Sequence, residues 1–443
     1  MNYNSQILLS KLSNSEISKK YADIINSKRS KKYYFILTVA NILFIIGLYS
    51  LVYTIREGLG VFGLNSNVSW GLSIINFVFW IGIAHSGTLI SAILYLFNQK
   101  WRNSLNRSAE TMTLISLLCA AIFPIIHTGR PWFAAYWLIP YPNQMGIWPN
   151  FSSPLVWDFF AILTYFIISL IFWYVGLIPD FATLRSKIKS NSLKNVYIFL
   201  SLGWVGSYNQ WENYKKLYLV LAGLATPLVI SVHTIVSLDF AVTLNPGWHS
   251  TIFPIYFVAG AMFSGTAMVT ILVIILRNIY NLEYFITSLH FNNLGKLILT
   301  TCIIVTFSYI MELFNILFTG NELEILLISE KISERYLLLF LSVILFNFII
   351  PQLLWIKRIR CNQIFMLIIS CIIVIGMWLE RYLIVIPSIE KDFVTDNILY
   401  YFPTWIEISI FLGTIGLFIT LFLIFIKYLP IVSLFEVKML NKN

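Results

Sequence analysis

Apolar residues run along this chain in blocks of about 20, divided by short polar stretches, without the strict alternation of a half-buried strand. A helix rises about 1.5 Å per residue, so each block is long enough to cross a hydrocarbon core. Ten blocks predict ten spans, over roughly 33–55, 68–98, 108–129, 154–178, 217–240, 251–277, 295–318, 335–357, 364–386 and 404–428. The second and sixth are long enough to tilt.

Composition agrees with this pattern. Of 443 residues, 58% are hydrophobic and 11% charged, whereas soluble domains carry about 25% charged residues. Helices satisfy their own backbone groups inside lipid, so the expected class is an all-α integral membrane protein. Residues 1–32 form a polar, Lys-rich N-terminal segment, 33–428 the membrane domain and 429–443 a tail. The first segment has no apolar core, and no cleavable signal is expected. Cys119, Cys302, Cys361 and Cys371 show no CxxC spacing and read as small core residues rather than metal ligands or a disulfide framework.

The formal charge of +10 does not call for a nucleic acid partner, because the Lys and Arg residues cluster in alternate loops. They fill the N-terminal segment, the loops after spans two and four, the turn between spans six and seven, the loop after span eight and the tail. The loops between are poor in Lys and Arg, and the one after span seven carries Glu322, Glu324 and Glu330. The positive-inside rule then predicts that both termini are cytoplasmic.

This orientation gives the polar residues a depth. His127 and Arg130 close span three at its outer end, in Ala121-Ile-Phe-Pro-Ile-Ile-His-Thr-Gly-Arg-Pro-Trp132. They stand three apart, on one face for as long as the helix lasts, and Pro131 is expected to end it at Arg130. Asp158, after Trp157, enters span four from the outside, and Asp239 lies near the outer end of span five. Elsewhere His85 and His233 are buried in spans two and five, and Tyr309 and Glu312 share a face of span seven. Ionisable groups at such depths are costly, and they turn toward the bundle interior and a partner. Some have plainer readings. Glu380 and Arg381 read as a structural pair, Glu110 as a solvated interface residue, and His249 as a loop residue.

The four outer groups suit the oxidation of a hydroquinone, which releases two electrons and two protons. Its site needs two proton acceptors and an apolar slot open to lipid. His127 is a suitable first acceptor, with an unperturbed imidazole pKa of about 6.5. Asp158 or Asp239 takes the second proton, and Arg130 orients a carboxylate. No metal site is expected, and five histidines make a weak case for a haem between His85 and His233. The electrons would leave to another subunit.

Several stretches carry a resemblance: Trp80-Ile-Gly-Ile-Ala-His-Ser-Gly-Thr88, Gln99-Lys-Trp-Arg-Asn-Ser-Leu-Asn-Arg-Ser-Ala-Glu110, Phe123-Pro-Ile-Ile-His-Thr-Gly-Arg-Pro-Trp132, Ser153-Pro-Leu-Val-Trp-Asp158, Tyr309-Ile-Met-Glu312 and Gly376-Met-Trp-Leu-Glu-Arg-Tyr382. With them the chain resembles the NrfD/PsrC-like polysulfide-reductase membrane subunits. Within that family it looks most like ActC, the larger of the two such subunits of bacterial alternative complex III. The resemblance implies ten helices built around two four-helix bundles, with an extra helix pair, in a bacterial inner membrane. It implies menaquinol as bound substrate at the periplasmic side, with His127, Asp158 and Asp239 as catalytic groups and Arg130 and Trp157 beside them. It suggests a proton path through His85, His233, Tyr309 and Glu312. It implies no haem or iron–sulfur cluster in this chain. The partners would be an iron–sulfur protein, c-type cytochrome subunits, a second NrfD-like subunit and a terminal oxidase. The chain departs from the family at Leu289-His-Phe-Asn292, where Arg-His-Leu-Asp is frequent, so a charge pair at the inner surface is lost.

Two other functions compete. One is the same fold run in the opposite direction, as a quinone-reducing anchor of a molybdopterin oxidoreductase. The other is an ion transporter, which would show paired half-helices broken near the bilayer midplane. Pro124, Pro227 and Pro254 lie off-centre and form no such pair.

Overall fold

The computed structural model describes residues 7–8, 13–127, 129, 131–133, 154–248, 252–392, 395 and 397–442. Among these, ten helices are long and apolar enough to cross a membrane. They are α1 (Lys31–Glu57), α2 (Gly71–Leu96), α3 (Asn106–His127), α4 (Pro154–Leu184), α5 (Tyr208–Ala241), α6 (Phe253–Tyr280), α7 (Ser288–Thr319), α8 (Glu334–Trp355), α9 (Gln363–Glu390) and α10 (Trp405–Tyr428).

All ten predicted spans are present, and their edges move where local chemistry outweighs hydropathy. α5 begins at Tyr208 rather than 217, because Ser207 and Gln210 close a capping box on its first turn. α7 begins at Ser288, where Thr287 and His290 do the same. α3 stops at His127 instead of reaching Arg130. Gly129 takes φ 71° and donates its N–H to the Ile126 carbonyl at 2.7 Å, so the left-handed glycine ends the helix before Pro131 can. Arg130 itself lies outside the described residues, as does His249.

Among the described residues, four further helices of nine or more residues lie outside the spans: Asn14–Asn26, Asn191–Leu200, Glu322–Ile332 and Leu434–Lys442. The first opens on a Ser13–Glu16 capping box and buries Ile17, Tyr21 and Ala22.

The packing is organised around α2, in which every residue from Gly71 to Thr88 is buried. α2 packs against α3 and α5, and α4 against both of those, so α2–α5 form a closed ring of four. α6 packs against α7 and α9, and α8 against both of those, as a second ring. The two rings meet where α6 lies on α2 and α5, and where α9 lies on α2. α1 and α10 stand outside as a pair against α3. A Cβ on Gly47 would collide with the Gly413 Cα, so α1 and α10 touch backbone to backbone. Large apolar side chains such as Phe35, Tyr49, Phe307, Leu317 and Leu338 point away from the protein, as on a surface bathed in lipid.

The two ends differ. The Lys- and Arg-rich segments gather at one of them. There Asn26 Nδ2 donates to the Lys187 carbonyl at 3.1 Å and Arg29 Nη2 to that of Lys427 at 3.0 Å. At the opposite end, the segments before α2 and before α10 interlock. Asn67 Nδ2 donates to the Glu390 carbonyl at 3.0 Å, the Leu72 N–H to Tyr401 Oη at 2.9 Å, and the Gly63 N–H to Glu407 at 2.9 Å.

Glu110 is not solvated, contrary to expectation. It lies 4% exposed at the basic end of the first ring. Arg107 Nη1 donates to it at 2.8 Å, and Arg107 Nε lies 3.5 Å from Asp180 on α4. Beside this pair, Arg102 and Glu436 join at 2.6 Å, and Asn106 donates to the other Glu436 oxygen at 2.8 Å. These contacts pin the C-terminal helix across the end of the ring. The sequence hides them because Arg102 and Glu436 stand 334 residues apart.

Candidate functional site

Where α3 ends and α4 begins, at the end away from the basic loops, the first ring leaves a cavity of about 380 Å³. That volume falls in the range of small-molecule sites, about 300–1,000 Å³. Ile74 and Phe77 of α2, Leu117 and Pro124 of α3, and Ile162 and Phe166 of α4 give it an apolar lining. Pro124 contributes no N–H to the helical ladder, which loosens α3 beside the cavity. Leu118, Ile125, Phe159 and Leu163 also line it, and each is more than a third exposed on the outer surface of the ring. The cavity therefore opens sideways, between α3 and α4, through a mouth of apolar side chains.

The polar groups on its wall are few. His127 stands at the last residue of α3, its ring 4.0 Å from that of Trp70 and tilted by 36°. Trp70 immediately precedes α2 and fixes one face of the imidazole. Asp158, in the second turn of α4, is 3% exposed, and neither carboxylate oxygen has a hydrogen-bond donor among the described residues. Asp239, on α5, approaches Asp158 closely enough for the two carboxyl groups to interact. Ser73 adds a hydroxyl side chain to the lining. Two facing carboxyl groups can share and pass a proton, which a lone carboxylate cannot do.

Of the outer groups expected from sequence, the structure thus brings His127 and Asp158 into one cavity, with Asp239 behind. Trp157 does not line the cavity; it is 36% exposed on the outer side of α4. Trp70 and Ser73 line it without having been singled out. Only a depth argument from the end of α3 to the start of α2 would have found them.

His85 and His233 face each other deeper in the first ring. Both are buried, with ring centroids 5.1 Å apart at 78°. Both nitrogens of His85, and Nε2 of His233, lack hydrogen-bond partners among the described residues. Rings in edge contact leave no slot for a porphyrin between them. His233 precedes Asp239 by six residues on α5, or roughly 9 Å along the helix. The π-helical turn Leu89–Ile93 begins one helical turn after His85, and such turns recur near functional sites.

The other two residues of the expected proton path lie in the second ring. Tyr256 Oη donates to Tyr309 Oη at 2.6 Å. Glu312, one turn beyond Tyr309, has Lys331 of the helix Glu322–Ile332 as its nearby positive charge. Glu380 accepts from Arg381 at 2.7 Å and from Asn347 Nδ2 at 3.0 Å, a locally satisfied pair. Asn292, where the resemblance leads one to expect a carboxylate, accepts from Arg360 Nε at 3.1 Å. Among the described residues, no group of three or more His, Cys, Asp and Glu side chains is placed to hold a metal ion.

Comparison with known proteins gives three findings. The family described as polysulphide reductase, NrfD, matches residues 60–391. A selenate reductase subunit of Mesobacillus selenatarsenatis is 26% identical over 418 residues, covering 90% of this chain and 94% of that protein. A putative dimethyl sulfoxide reductase membrane subunit of Halobacterium salinarum is 26% identical over 242 residues, 54% of this chain and 51% of that protein.

Proposed function

The chain belongs to the polysulphide reductase NrfD family, as a membrane subunit of a reductase complex, and we propose that it is the quinol-oxidising anchor of that complex. The observation that carries this is the cavity between α3 and α4. Its apolar mouth faces the lipid, its volume suits a quinone head group, and His127 and Asp158 stand on its wall.

A lipid-soluble hydroquinone slides in from the bilayer. One hydroxyl gives its proton to His127, and the other to Asp158, from which it moves to Asp239. The two electrons pass to the redox centre of the partner subunit, and the quinone returns to the membrane. The ring of Trp70 holds the imidazole on one face, and the apolar lining keeps bulk water away. Menaquinol is the substrate class we infer. Arg130 belongs to this site by its place in the sequence, although it lies outside the described residues.

Both relatives are named as parts of reductases. This supports a partner that consumes the electrons, with an iron–sulfur protein feeding a molybdopterin catalytic protein. The electrons then run from quinol outward, not toward quinone as a quinone-reducing anchor would require. An alternative-complex-III assembly, with c-type cytochromes and a terminal oxidase beyond it, has less behind it. The basic end faces the cytoplasm in this reading, and the cavity faces the periplasmic side of a bacterial inner membrane.

The test is to purify the complex through this chain and identify its components while following quinol oxidation. We expect an iron–sulfur protein and a molybdopterin protein, with turnover that requires Asp158. Co-purifying c-type cytochromes in their place would overturn the reductase-anchor reading and leave the quinol site intact. Full quinol turnover by an assembled Asp158→Asn complex would overturn the site.

A further inference from the structure

A second cavity lies at the basic end of the first ring, far from the quinol site. It measures about 270 Å³ and sits between the end of α2, the start of α5 and the C-terminal helix. Its walls include Tyr95, Tyr218, Phe435 and Met439, and its polar side chains are Asn98, Lys100, Arg102 and Asn103 from one side, Lys215 and the Tyr214 hydroxyl from α5, and Glu436 from the tail.

The charges can be counted. Glu436 is fully engaged, one oxygen taken by Arg102 at 2.6 Å and the other by Asn106 at 2.8 Å. Arg102 is likewise occupied, by Glu436, by the Ser91 carbonyl at 3.3 Å and by the ring of Tyr95 at 4.7 Å. That pair is neutral. Lys100 and Lys215 remain, both exposed at the rim, and neither forms an ion pair among the described residues. Tyr214 is 6% exposed, and its hydroxyl is buried with no partner among the described residues. A buried hydroxyl left unpaired is costly, and a ligand oxygen would satisfy it.

Two free ammonium groups, a hydroxyl in want of an acceptor and two nearby amides make a site for an anion with several oxygens. Its position selects among anions. Leu96 and Phe97, next in sequence to Asn98, are exposed apolar residues at the end of α2, and Phe97 is 70% exposed. A phosphate with acyl chains would lay its head among the lysines and its tails along that surface. Basic pockets between membrane helices bind anionic lipid head groups in this way.

We propose that this cavity binds the phosphodiester head group of an anionic phospholipid of the adjacent leaflet, held by Lys100, Lys215 and the Tyr214 hydroxyl. The bound lipid bridges α2, α5 and the C-terminal helix, and so clamps the tail to the ring.

The test uses the intact complex, delipidated and returned to nanodiscs of phosphatidylglycerol or of phosphatidylcholine. Lipid retained per complex is read by native mass spectrometry, and stability by thermal unfolding. Phosphatidylglycerol should be retained and should raise the unfolding temperature above that in phosphatidylcholine. Lys100→Gln and Lys215→Gln should each weaken retention about fivefold, which corresponds to about 1 kcal/mol per basic residue at an anionic surface. Lys100→Arg with Lys215→Arg should restore it, which separates binding from folding. Tyr214→Phe should weaken retention with the packing kept. Equal retention of the two lipids, or of phosphatidylglycerol by wild type and the Gln variants, would overturn the proposal. Competition by inorganic phosphate would overturn the lipid as the source and leave a free-phosphate site. None of these variants touches His127 or Asp158, so quinol turnover reports independently on the other site.

Discussion

His127 and Asp158 come from different helices, yet they share one apolar wall. At the residue scale the chemistry rests on how little else is polar there. Asp158 has no hydrogen-bond donor among the described residues, so no bound donor blocks the oxygen that receives the proton, and Asp239 stands beside it to take the proton on. Asp158→Asn keeps the shape of the side chain and removes its basicity. In complexes that still hold every component, quinol oxidation should fall by about 10²–10⁴-fold, the usual worth of a general base. His127→Phe should cause a similar loss. The His127 variant should also lose the acid limb of the pH profile. An imidazole acceptor works only when neutral, so in wild type the rate falls as pH drops and the ring is protonated. A variant that keeps the limb would assign it to another group. Asp239→Asn should cost less than Asp158→Asn, because Asp239 receives the proton second-hand. A larger loss at Asp239 would reverse that order.

At the element scale, the sequence shows where helices cross the membrane better than where they stop. The spans are legible because lipid imposes one rule along the whole chain: about 20 apolar residues in a helix. Helix ends answer to a few atoms. Ser207 with Gln210 extends α5 into polar sequence, and one left-handed glycine ends α3 at His127. The four short helices escape a reading by hydropathy because none spans. The α1–α10 pair shows the same dependence on small features. Its backbones meet at Gly47 and Gly413, where neither residue has room for a Cβ. Gly413→Leu should therefore force α10 from α1 and lower the unfolding temperature of the complex. Quinol turnover per assembled complex should change little, because the cavity is built by α2, α3 and α4. A Gly413→Leu complex of unchanged stability would show that the close approach is dispensable.

At the scale of the whole molecule, two asymmetries run from one end to the other. Basic loops, both terminal helices and the Arg107–Glu110–Asp180 cluster occupy one end, and the cavity between α3 and α4 occupies the opposite one. The depth of the outer carboxylates was legible from charge alternation. The buried cluster was not, since its members are spread from Arg102 to Glu436 and no local pattern joins them. Sidedness follows from the charge bias: excess Lys and Arg hold loops on the cytoplasmic side during insertion. The segment between α3 and α4, most of which lies outside the described residues, should then be periplasmic. Gln144→Cys, as the only cysteine, should react with a membrane-impermeant maleimide added to intact spheroplasts. A cysteine placed at Lys189, between α4 and α5, should react only after the membrane is opened. Lys189 belongs to the opposite end, where its N–H donates to Asn26 at 3.1 Å. The two positions test the orientation against each other, because inversion of the protein would exchange their labelling. Exchange would put the quinol cavity on the cytoplasmic side, with its protons released inward and no charge separation from quinol oxidation. Labelling of both from outside would break the span count between them, and with it the ring formed by α2–α5.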